Sequence, residues 1–238
     1  MICNACAGTS FQQFAIRQDG MKIKQCQRCG LGRVADLPDN TAQYYDDSYY
    51  FGGDSIGYEN YRFMAEHGVG WAAALLQLLA MGGKILDIGC ADGYLLNKLP
   101  RDFEKFGIEV NAKAAAQAEA KGVQVIGHDL FAPGMRDRHR AGFDVVTSIA
   151  VFEHLLDFRG GFETATAMLS DTGFLLFEVP LISSTGSNAA WLQGSYEHIY
   201  YPTEASIRHI VEAELGLHLV GAEVPIKDYA STYIGMVT

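Results

Sequence analysis

Four of the five cysteines form two matched pairs near the start of the chain. Two residues separate Cys3 from Cys6 and Cys26 from Cys29, and 19 residues lie between the two pairs. Two such CxxC knuckles at this separation are typical of a tetrahedral zinc site made of four thiolates. Because four thiolates leave no coordination position open, the spacing predicts a structural Zn²⁺ ion within residues 1–40.

Disulfides and free thiols are the alternative interpretations of these cysteines. The first residues, MICNACAGTS, contain no basic segment followed by a long apolar run, so they do not resemble a secretory signal. Disulfides persist mainly in oxidising compartments, and a cytoplasmic location is the default expectation here. Metal binding is therefore favoured. No apolar run approaches the length of a membrane span, so no membrane association is expected.

The second pattern with chemical meaning is ILDIGCADGYLL, residues 85–96. An apolar run ends on Asp87, and Gly89 and Gly93 mark a turn before a second apolar run, as where a strand meets a helix in nucleotide-binding α/β domains. Dinucleotide-binding turns carry G-x-G-x-x-G, but Asp87 and Asp92 stand at the first and third of those positions. An acid there would repel a pyrophosphate. The expected ligand is a nucleoside with positive charge and no phosphate.

These motifs need a scaffold, and apolar periodicity predicts alternating helices and strands from Tyr58 onward. A helix from Tyr58 to Leu79 is expected first, with Gly68 and Gly70 as weak points. Later helices are expected at Gly93–Leu99, at Ala112–Lys121, near Gly161–Leu169, and from the N-cap Thr203 to Leu215. Strands are expected at Lys84–Asp87, Lys105–Glu109, Val123–Gly127, Asp144–Ile149, Gly173–Val179, Leu217–Val224 and Thr232–Val237.

This order of elements predicts an α/β fold with a Rossmann-like, mostly parallel seven-stranded sheet covered on both faces. The last two strands follow each other without a helix, so an antiparallel hairpin is expected at the edge. Residues 1–40 are expected to form a separate small zinc-binding unit, and residues 41–238 the second domain. The tyrosine-rich connector that begins this domain is too aromatic to stay solvated, so it should pack on a neighbour.

ILDIGCADG resembles motif I of the class I S-adenosylmethionine-dependent methyltransferases, whose usual form is close to (V/I)LD(I/V)GCGxG. S-adenosylmethionine carries an ammonium group, a sulfonium and no phosphate, in agreement with the charge argument. Ala91 stands where the family often has glycine, and Cys90 is interpreted as a small packed residue rather than a nucleophile. The resemblance implies that the turn holds the cofactor through Asp87, Gly89, Cys90, Ala91 and Gly93.

The resemblance covers about Tyr58 to Thr238 and continues in FGIEVN, where Glu109 is followed by Val110. It places Glu109 where an acid accepts hydrogen bonds from both ribose hydroxyls. The two oxygens of a carboxylate suit a vicinal diol. A solvated surface acid is the alternative interpretation of Glu109.

Two further segments resemble the family in order. In GHDLF, the resemblance places Asp129 at the adenine amino group and Leu130 beside the ring. In FDVVTSIAVF, which is similar to the family's motif IV, it places Ile149 and Ala150 along the cofactor. Taken alone, Asp129 could equally be a turn former, so it is the order of the four segments that predicts cofactor binding.

Methyl transfer from a sulfonium needs no enzyme nucleophile, but it often needs a base that removes a proton from the acceptor. His154 follows the fourth strand in VFEHLLD, and His198 lies in GSYEHIYYPT, within the long segment 179–202. Imidazole titrates near neutral pH, so His198 is the favoured base, with Glu197 to orient it and His154 as the other candidate. Alternatively, His154 holds the cofactor pocket and His198 fastens its loop.

The CxxC pairs, the tyrosine-rich connector and the Glu-His pair together resemble zinc-containing sugar C-methyltransferases and related small-molecule methyltransferases. In the sugar enzymes this loop carries Tyr-x-Glu-His. Glu197 and His198 match that run, whereas Ser195 occupies its tyrosine position and Tyr196 is displaced by one. The sugar enzymes also carry a further C-terminal α/β domain. Since the last expected strand ends near Thr238, either a shorter relative or an incomplete chain is expected.

The leading hypothesis is a methyltransferase for a small molecule: a sugar, glycan or natural-product precursor methylated at oxygen or carbon. An RNA methyltransferase is the second hypothesis, because some such enzymes begin with a zinc knuckle. The net charge of −10 disfavours it, as does SIAVF where an Asn/Asp-Pro-Pro-Tyr motif would stand. A non-catalytic module that binds S-adenosylmethionine and zinc is the third hypothesis.

Overall fold

The computed structural model describes residues 1–41, 44–51, 61–182, 190–226 and 230–238. Within these ranges the strands are β1 (Phe11–Ile16), β2 (Lys22–Cys26), β3 (Gly32–Val34), β4 (Gly83–Ile88), β5 (Phe103–Ile108), β6 (Gln124–Gly127), β7 (Phe143–Ile149), β8 (Leu169–Leu181), β9 (Tyr200–Tyr201), β10 (Leu219–Ile226) and β11 (Ala230–Val237). The α-helices are α1 (Asp47–Phe51), α2 (Tyr61–Gly68), α3 (Gly70–Leu79), α4 (Ala112–Ala120), α5 (Met135–Arg138), α6 (Phe158–Ala167), α7 (Ala190–Gly194) and α8 (Glu204–Arg208).

The chain divides into two compact units. One unit consists of Met1–Thr41, Ala150–Glu163 and Leu176–Thr238, and the other of Ala42–Ile149 and Thr164–Leu175. Each has its own core. Aromatic rings fill part of the first, where the rings of Phe152 and Phe162 lie 4.5 Å apart and those of Phe162 and Phe177 lie 5.0 Å apart. In the second, the buried faces of β4 and β7 supply aliphatic side chains such as Ile85 and Val146.

The larger sheet has seven strands in the order β10-β11-β8-β7-β4-β5-β6. Strand β4 pairs in parallel with both β5 and β7, and β5 pairs in parallel with β6. Strands β10 and β11 form an antiparallel pair at one edge. These pairings confirm the predicted α/β fold class and its antiparallel edge hairpin. Because β5 and β7 lie on opposite sides of β4, the sheet reverses its order there, which is where open α/β sheets bind ligands.

None of the four strands of the smaller sheet was predicted from the sequence. Its order is β1-β2-β3-β9, and all of its pairs are antiparallel. Strand β9 comes from the long segment after β8, and Gly32 and Arg33 of β3 pair with Tyr201 and Tyr200. Part of that segment is therefore a sheet strand. Residues 183–189 of the same segment lie outside the described residues.

Most predicted helices are present, with bounds set by local chemistry. The Asn111 side chain caps α4 by accepting from two backbone N–H groups, and Thr203 and Ser206 form a reciprocal capping box at α8. Helix α8 continues as a π-helical turn, His209–Glu214. The predicted first helix is split into α2 and α3 at Val69, between the two glycines. Its expected start, Tyr58, lies outside the described residues.

The prediction of an α-helix at Gly93–Leu99 is wrong. The segment contains turns followed by a short 3₁₀ helix, Leu96–Lys98. Gly93 has a φ of 84°, which a right-handed helix excludes. Pro100 forces the preceding Leu99 into an extended conformation with ψ of 148°. Too few residues remain between these two for a stable α-helix.

No helix in the described ranges is both long enough and apolar enough to cross a membrane.

Candidate functional site

Asp87 is buried near the carboxyl end of β4, where Gly107 of β5 and Thr147 of β7 are its register partners. The Thr147 hydroxyl donates a 2.6 Å hydrogen bond to the Asp87 carboxylate. Burial raises the pKa of Asp87 to about 7; the Thr147 bond opposes this shift and the Glu109 charge adds to it. Among the described residues no basic side chain pairs with Asp87. A cationic group of a ligand would therefore stabilise its ionised form.

The turn after β4 places three residues in the left-handed region, with φ of 75° at Gly89, 48° at Ala91 and 84° at Gly93. For the alanine this conformation costs about 1 kcal/mol. The Gly89 N–H donates to the carbonyl of Ile108 at 2.8 Å, which ties the turn to the end of β5. The Ala91 N–H instead donates to the Glu109 carboxylate at 2.8 Å. The left-handed conformation of the turn thus directs the Ala91 N–H toward the carboxylate of Glu109.

Glu109 follows β5 directly, and its carboxylate accepts three hydrogen bonds. Oε1 accepts from the Tyr50 hydroxyl at 2.9 Å and the Asn111 N–H at 2.8 Å, and Oε2 accepts from the Ala91 N–H. Burial raises the pKa of Glu109, and these hydrogen bonds oppose the shift. Since a carboxylate offers about four acceptor positions, one remains on Oε2 for a ligand hydroxyl.

Part of the tyrosine-rich connector packs on this turn. Tyr49 and Tyr50 of α1 are buried in one cluster with Ala91 and Ala114. The Asn111 amide nitrogen donates to the connector's Tyr45 carbonyl at 3.1 Å. The aromatic composition of the segment predicted such packing, but nothing in it indicated that a tyrosine hydroxyl would bond to Glu109.

The other residues expected around the cofactor differ in exposure. Cys90 is buried, its sulfur fills the space left by Gly107, and burial raises the pKa of its thiol, so it packs rather than attacks. Asp129 is exposed after β6 and accepts a 2.8 Å hydrogen bond from the Phe131 N–H. The remaining four are Leu130, which is buried, Ile149, which is half-buried, and the exposed Val110 and Ala150.

The four paired cysteines converge into one buried cluster. Their sulfur atoms all lie within 4.8 Å of one another, with 3.5 Å between Cys3 and Cys29 and 3.6 Å between Cys6 and Cys26. Zinc–sulfur bonds of about 2.3 Å at tetrahedral angles separate sulfurs by about 3.8 Å, so the cluster fits such an ion. Gly8 leaves room here, because a Cβ at that position would lie 3.3 Å from two of the sulfurs. The cysteines are thus positioned to bind a metal.

A second buried cluster contains Glu153, His154 and His198, each of which offers a ligand atom within 4.8 Å of the others. The two imidazole rings meet edge to face, with centroids 4.6 Å apart. Glu153 Oε1 lies 3.5 Å from His154 Nε2. Both carboxylate oxygens of Glu153 and Nδ1 of His198 are buried and have no hydrogen-bond partner among the described residues. Unpaired buried polar atoms are costly.

The charge states in this cluster follow from burial. Burial, with the nearby charges of Glu178 and Glu197, raises the pKa of Glu153 well above its usual range. Burial lowers the pKa of His154 to about 4 and that of His198 well below its usual value. Both imidazoles are therefore neutral at pH 7 and can accept a proton or bind a cation.

The segment that carries His198 is held by Arg17, which is itself buried. Its Nη1 donates to the carbonyls of Ser195 at 3.0 Å and His198 at 3.1 Å, and to the Tyr201 hydroxyl at 3.0 Å. Asp19 pairs with the same guanidinium at 2.6 Å. No local pattern indicates this role of Arg17, because its contact with the His198 carbonyl spans 181 residues.

Glu197, expected to orient His198, lies with its Oε1 3.8 Å from His198 Nε2, beyond hydrogen-bonding distance. Burial raises the pKa of its carboxyl, and the charge of Arg17 opposes the shift. The Glu197 main-chain carbonyl lies 3.3 Å from His154 Nδ1. In this structure Glu197 therefore contacts one histidine through its backbone and approaches the other with its side chain.

Comparison with known proteins gives the family. The sequence profile of the family described as "Methyltransferase domain" matches residues 62–220, which is more than half of the chain. The chain belongs to this family and is an S-adenosylmethionine-dependent methyltransferase.

Solved structures share the fold at low sequence identity. A chain of the complex between the Haloferax volcanii Trm112 methyltransferase activator and a methyltransferase is 16% identical, with a TM-score of 0.58, over 85% of this chain and 99% of that one. Magnesium protoporphyrin IX methyltransferase from Synechocystis, with bound SAH, is 18% identical, with a TM-score of 0.58, over 79% and 90%. The CurJ carbon methyltransferase is 14% identical, with a TM-score of 0.54, over 82% and 56%.

Proposed function

We propose that this enzyme transfers the methyl group of S-adenosylmethionine to oxygen or carbon of a small molecule, such as a sugar, glycan or natural-product precursor. The observation that carries the cofactor assignment is the pair of buried acids, Asp87 and Glu109, at the ends of adjacent parallel strands. Neither has a basic partner among the described residues, and the turn between their strands presents a backbone amide. Such a site suits a cationic nucleoside and would repel a pyrophosphate.

S-adenosylmethionine, when bound, supplies a methyl group activated by the sulfonium. Glu109 would accept from the ribose hydroxyls, using the open position on Oε2 and the one that Tyr50 fills. Asp87 would face the ammonium group. The adenine would contact Asp129 and Leu130, and the cofactor's remaining neighbours would be Gly89, Cys90, Ala91, Gly93, Val110, Ile149 and Ala150.

The affinity for S-adenosylmethionine should depend on pH through Asp87. Its folded-state pKa of about 7 means that at lower pH the carboxyl must release a proton before it can pair with an ammonium group. The ionised fraction falls about tenfold between pH 8 and pH 6, so the dissociation constant should rise about tenfold. Titration calorimetry over this range would measure the effect.

Asp87→Asn should bind more weakly at pH 8 and lose this dependence. The matched control is Asp102→Asn, which alters an exposed acid just before β5. An unchanged pH dependence in Asp87→Asn would show that another group titrates. The same raised pKa makes Asp87 reduce folding stability as the pH rises from about 4, its unfolded-state pKa, to about 7, its folded-state pKa, and the loss is complete above pH 7. Thermal denaturation of the free enzyme must therefore accompany each titration.

The acceptor's proton needs a destination, and His198 is the proposed base. Its imidazole is neutral, and its buried Nδ1 has no partner among the residues that the structure describes. His154, whose ring meets that of His198, and the buried Glu197 complete the proposed catalytic set. In the proposed reaction His198 Nδ1 takes the proton of the acceptor hydroxyl, or of a carbon beside a carbonyl, while the acceptor atom bonds to the methyl carbon and the carbon–sulfur bond of the cofactor breaks.

His198→Gln is expected to lower kcat by about 10²- to 10⁴-fold, the usual contribution of a general base. The affinity for S-adenosylmethionine should stay within about twofold, because none of the proposed cofactor contacts involves His198. Release of the demethylated cofactor, measured with a panel of nucleotide-linked keto-sugars, other sugars and small phenols, would give both the acceptor and kcat. The panel should include an RNA fraction, since methylation of RNA alone would overturn the small-molecule proposal.

The control for this substitution is His218→Gln, which changes an exposed histidine before β10. It should leave kcat unchanged. If His198→Gln keeps full activity and circular dichroism shows that it is folded, His198 is not the base. His154 would then be the remaining candidate.

The metal-binding unit proposed for residues 1–40 would hold Zn²⁺ in its four-cysteine site, while residues 41–238 would form the methyltransferase domain. The matched CxxC spacing and the 3.5 Å and 3.6 Å sulfur separations support zinc over disulfides. A site filled by four thiolates has no position for substrate, so the ion would act on structure.

A further inference from the structure

The buried cluster of Glu153, His154 and His198 has the composition of a metal site. Two imidazoles and one carboxylate are a common ligand set for a divalent ion that keeps one coordination position open. The three ligand atoms lie within 4.8 Å of one another. Bonds of about 2.0–2.2 Å to one ion would draw them together by small side-chain movements.

Unsatisfied atoms point to the same conclusion independently. Glu153 is fully buried, and within the described part of the chain neither of its carboxylate oxygens has a hydrogen-bond partner. The same holds for the buried Nδ1 of His198. A divalent ion would satisfy all of these atoms at once, whereas a proton on Glu153 would satisfy at most two.

The setting of His154 is that of a metal ligand. Its Nδ1 lies 3.3 Å from the carbonyl oxygen of Glu197, and the carbonyl of Ala150 also acts on the ring. Metal-binding histidines almost always donate one ring N–H to a carbonyl or carboxylate, which fixes the ring and directs the other nitrogen at the ion. On the far side, His154 Nε2 faces Glu153 Oε1.

The surrounding charge favours a cation overall. The carboxyls of Glu178 and Glu197 act on Glu153, giving three acids around two neutral imidazoles. Arg17 opposes this, because its charge reaches His198 and Glu197. Asp19 offsets that contribution through its ion pair with Arg17.

We propose that Glu153, His154 and His198 form a second metal site, which binds a divalent first-row transition-metal ion and is separate from the four-cysteine site. One consequence rests on the proposed function. An ion bound to His198 occupies a lone pair that the base would use for the acceptor's proton. Occupation of this site should therefore inhibit methyl transfer.

The test uses the full-length enzyme with Zn²⁺ in its four-cysteine site, titrated with Co²⁺ by calorimetry and visible absorption. One further Co²⁺ per chain is expected, with d–d bands but without the thiolate charge-transfer bands of a cysteine site. Glu153→Gln should weaken this binding by at least about tenfold. Glu178→Gln, which removes a neighbouring acid but no ligand, should bind Co²⁺ within about threefold of the wild type.

The outcomes separate the metal site from the base. Absence of a second Co²⁺ in the wild type would overturn the metal site and leave the proposed function intact. Equal losses in both variants would also overturn it, because the general negative charge, rather than a ligand set, would then attract the ion. Binding accompanied by lower turnover supports both proposals. Binding accompanied by higher turnover keeps the metal site and overturns the assignment of His198 as base.

Discussion

Glu109→Gln is expected to weaken S-adenosylmethionine binding by about 10- to 150-fold. A hydrogen bond to a charged acceptor contributes about 1.5–3 kcal/mol, and the amide keeps only one of the two acceptor oxygens that the ribose would use. The substitution also turns one acceptor oxygen into an amide donor. That donor would face one or more of the N–H and hydroxyl groups of Ala91, Asn111 and Tyr50, which now all donate to the carboxylate. Titration calorimetry at pH 8 would measure the loss.

The control for Glu109→Gln is Glu104→Gln, which neutralises an exposed acid on the same strand. It should bind the cofactor within about twofold of the wild type. Because Glu109 also fastens the turn after β4, both variants need their melting temperatures measured. A folded Glu109→Gln protein with unchanged affinity would exclude Glu109 as the ribose acceptor.

Removal of the metal from the four-cysteine site is expected to abolish turnover. Structural zinc sites contribute about 10–16 kcal/mol to the folding of small units. The metal-binding unit in turn holds the segment of His198: the Thr203 hydroxyl donates to the Cys29 carbonyl at 3.0 Å, and the Val34 N–H donates to the Ile199 carbonyl at 2.9 Å. Cys29→Ser should lose the metal and reduce kcat at least about 100-fold through the displaced base.

Metal analysis, circular dichroism and the methyl-transfer assay together test this expectation. Cys90→Ala, which removes a thiol outside the cluster, should keep the full metal content. The affinity of Cys29→Ser for S-adenosylmethionine should stay within about threefold, since Asp87 and Glu109 belong to the other compact unit. Loss of the metal without loss of turnover would contradict the proposed link between the cysteine site and His198.

The elements that the sequence predicted well are those specified by local patterns. Buried runs such as Ile85–Ile88 are apolar apart from Asp87, and they appear as the parallel strands of the central sheet. Side-chain capping acts within three residues, so the helix caps at Asn111 and Thr203 are predictable from local sequence. Only the cap at Thr203 was predicted. The exception is Gly93–Leu99, where the positive φ of one glycine and a following proline overrode an apolar pattern typical of a helix.

The features that the sequence could not predict depend on contacts between distant segments. Strand β9 has two residues and is defined by its pairing with β3 across more than 160 residues. Two hydrogen bonds also join residues that are far apart in the sequence. The Tyr50 hydroxyl donates to Glu109, and Arg17 donates to the His198 carbonyl. The burial of Glu153 also depends on distant segments, and only the structure shows that both of its oxygens are buried without a partner among the described residues.

The Tyr50 hydroxyl on Glu109 has an energetic consequence under the proposed cofactor placement. It occupies one of the acceptor positions that a ribose diol would use, so the Tyr50 hydroxyl of α1 and the cofactor compete for the same carboxylate. The observed affinity is then the intrinsic affinity multiplied by the fraction of molecules in which that position is open. A change that weakens the packing of α1 would then increase the affinity for the cofactor without altering any cofactor contact. The aromatic connector would thereby set the cofactor concentration at which the enzyme is half-saturated.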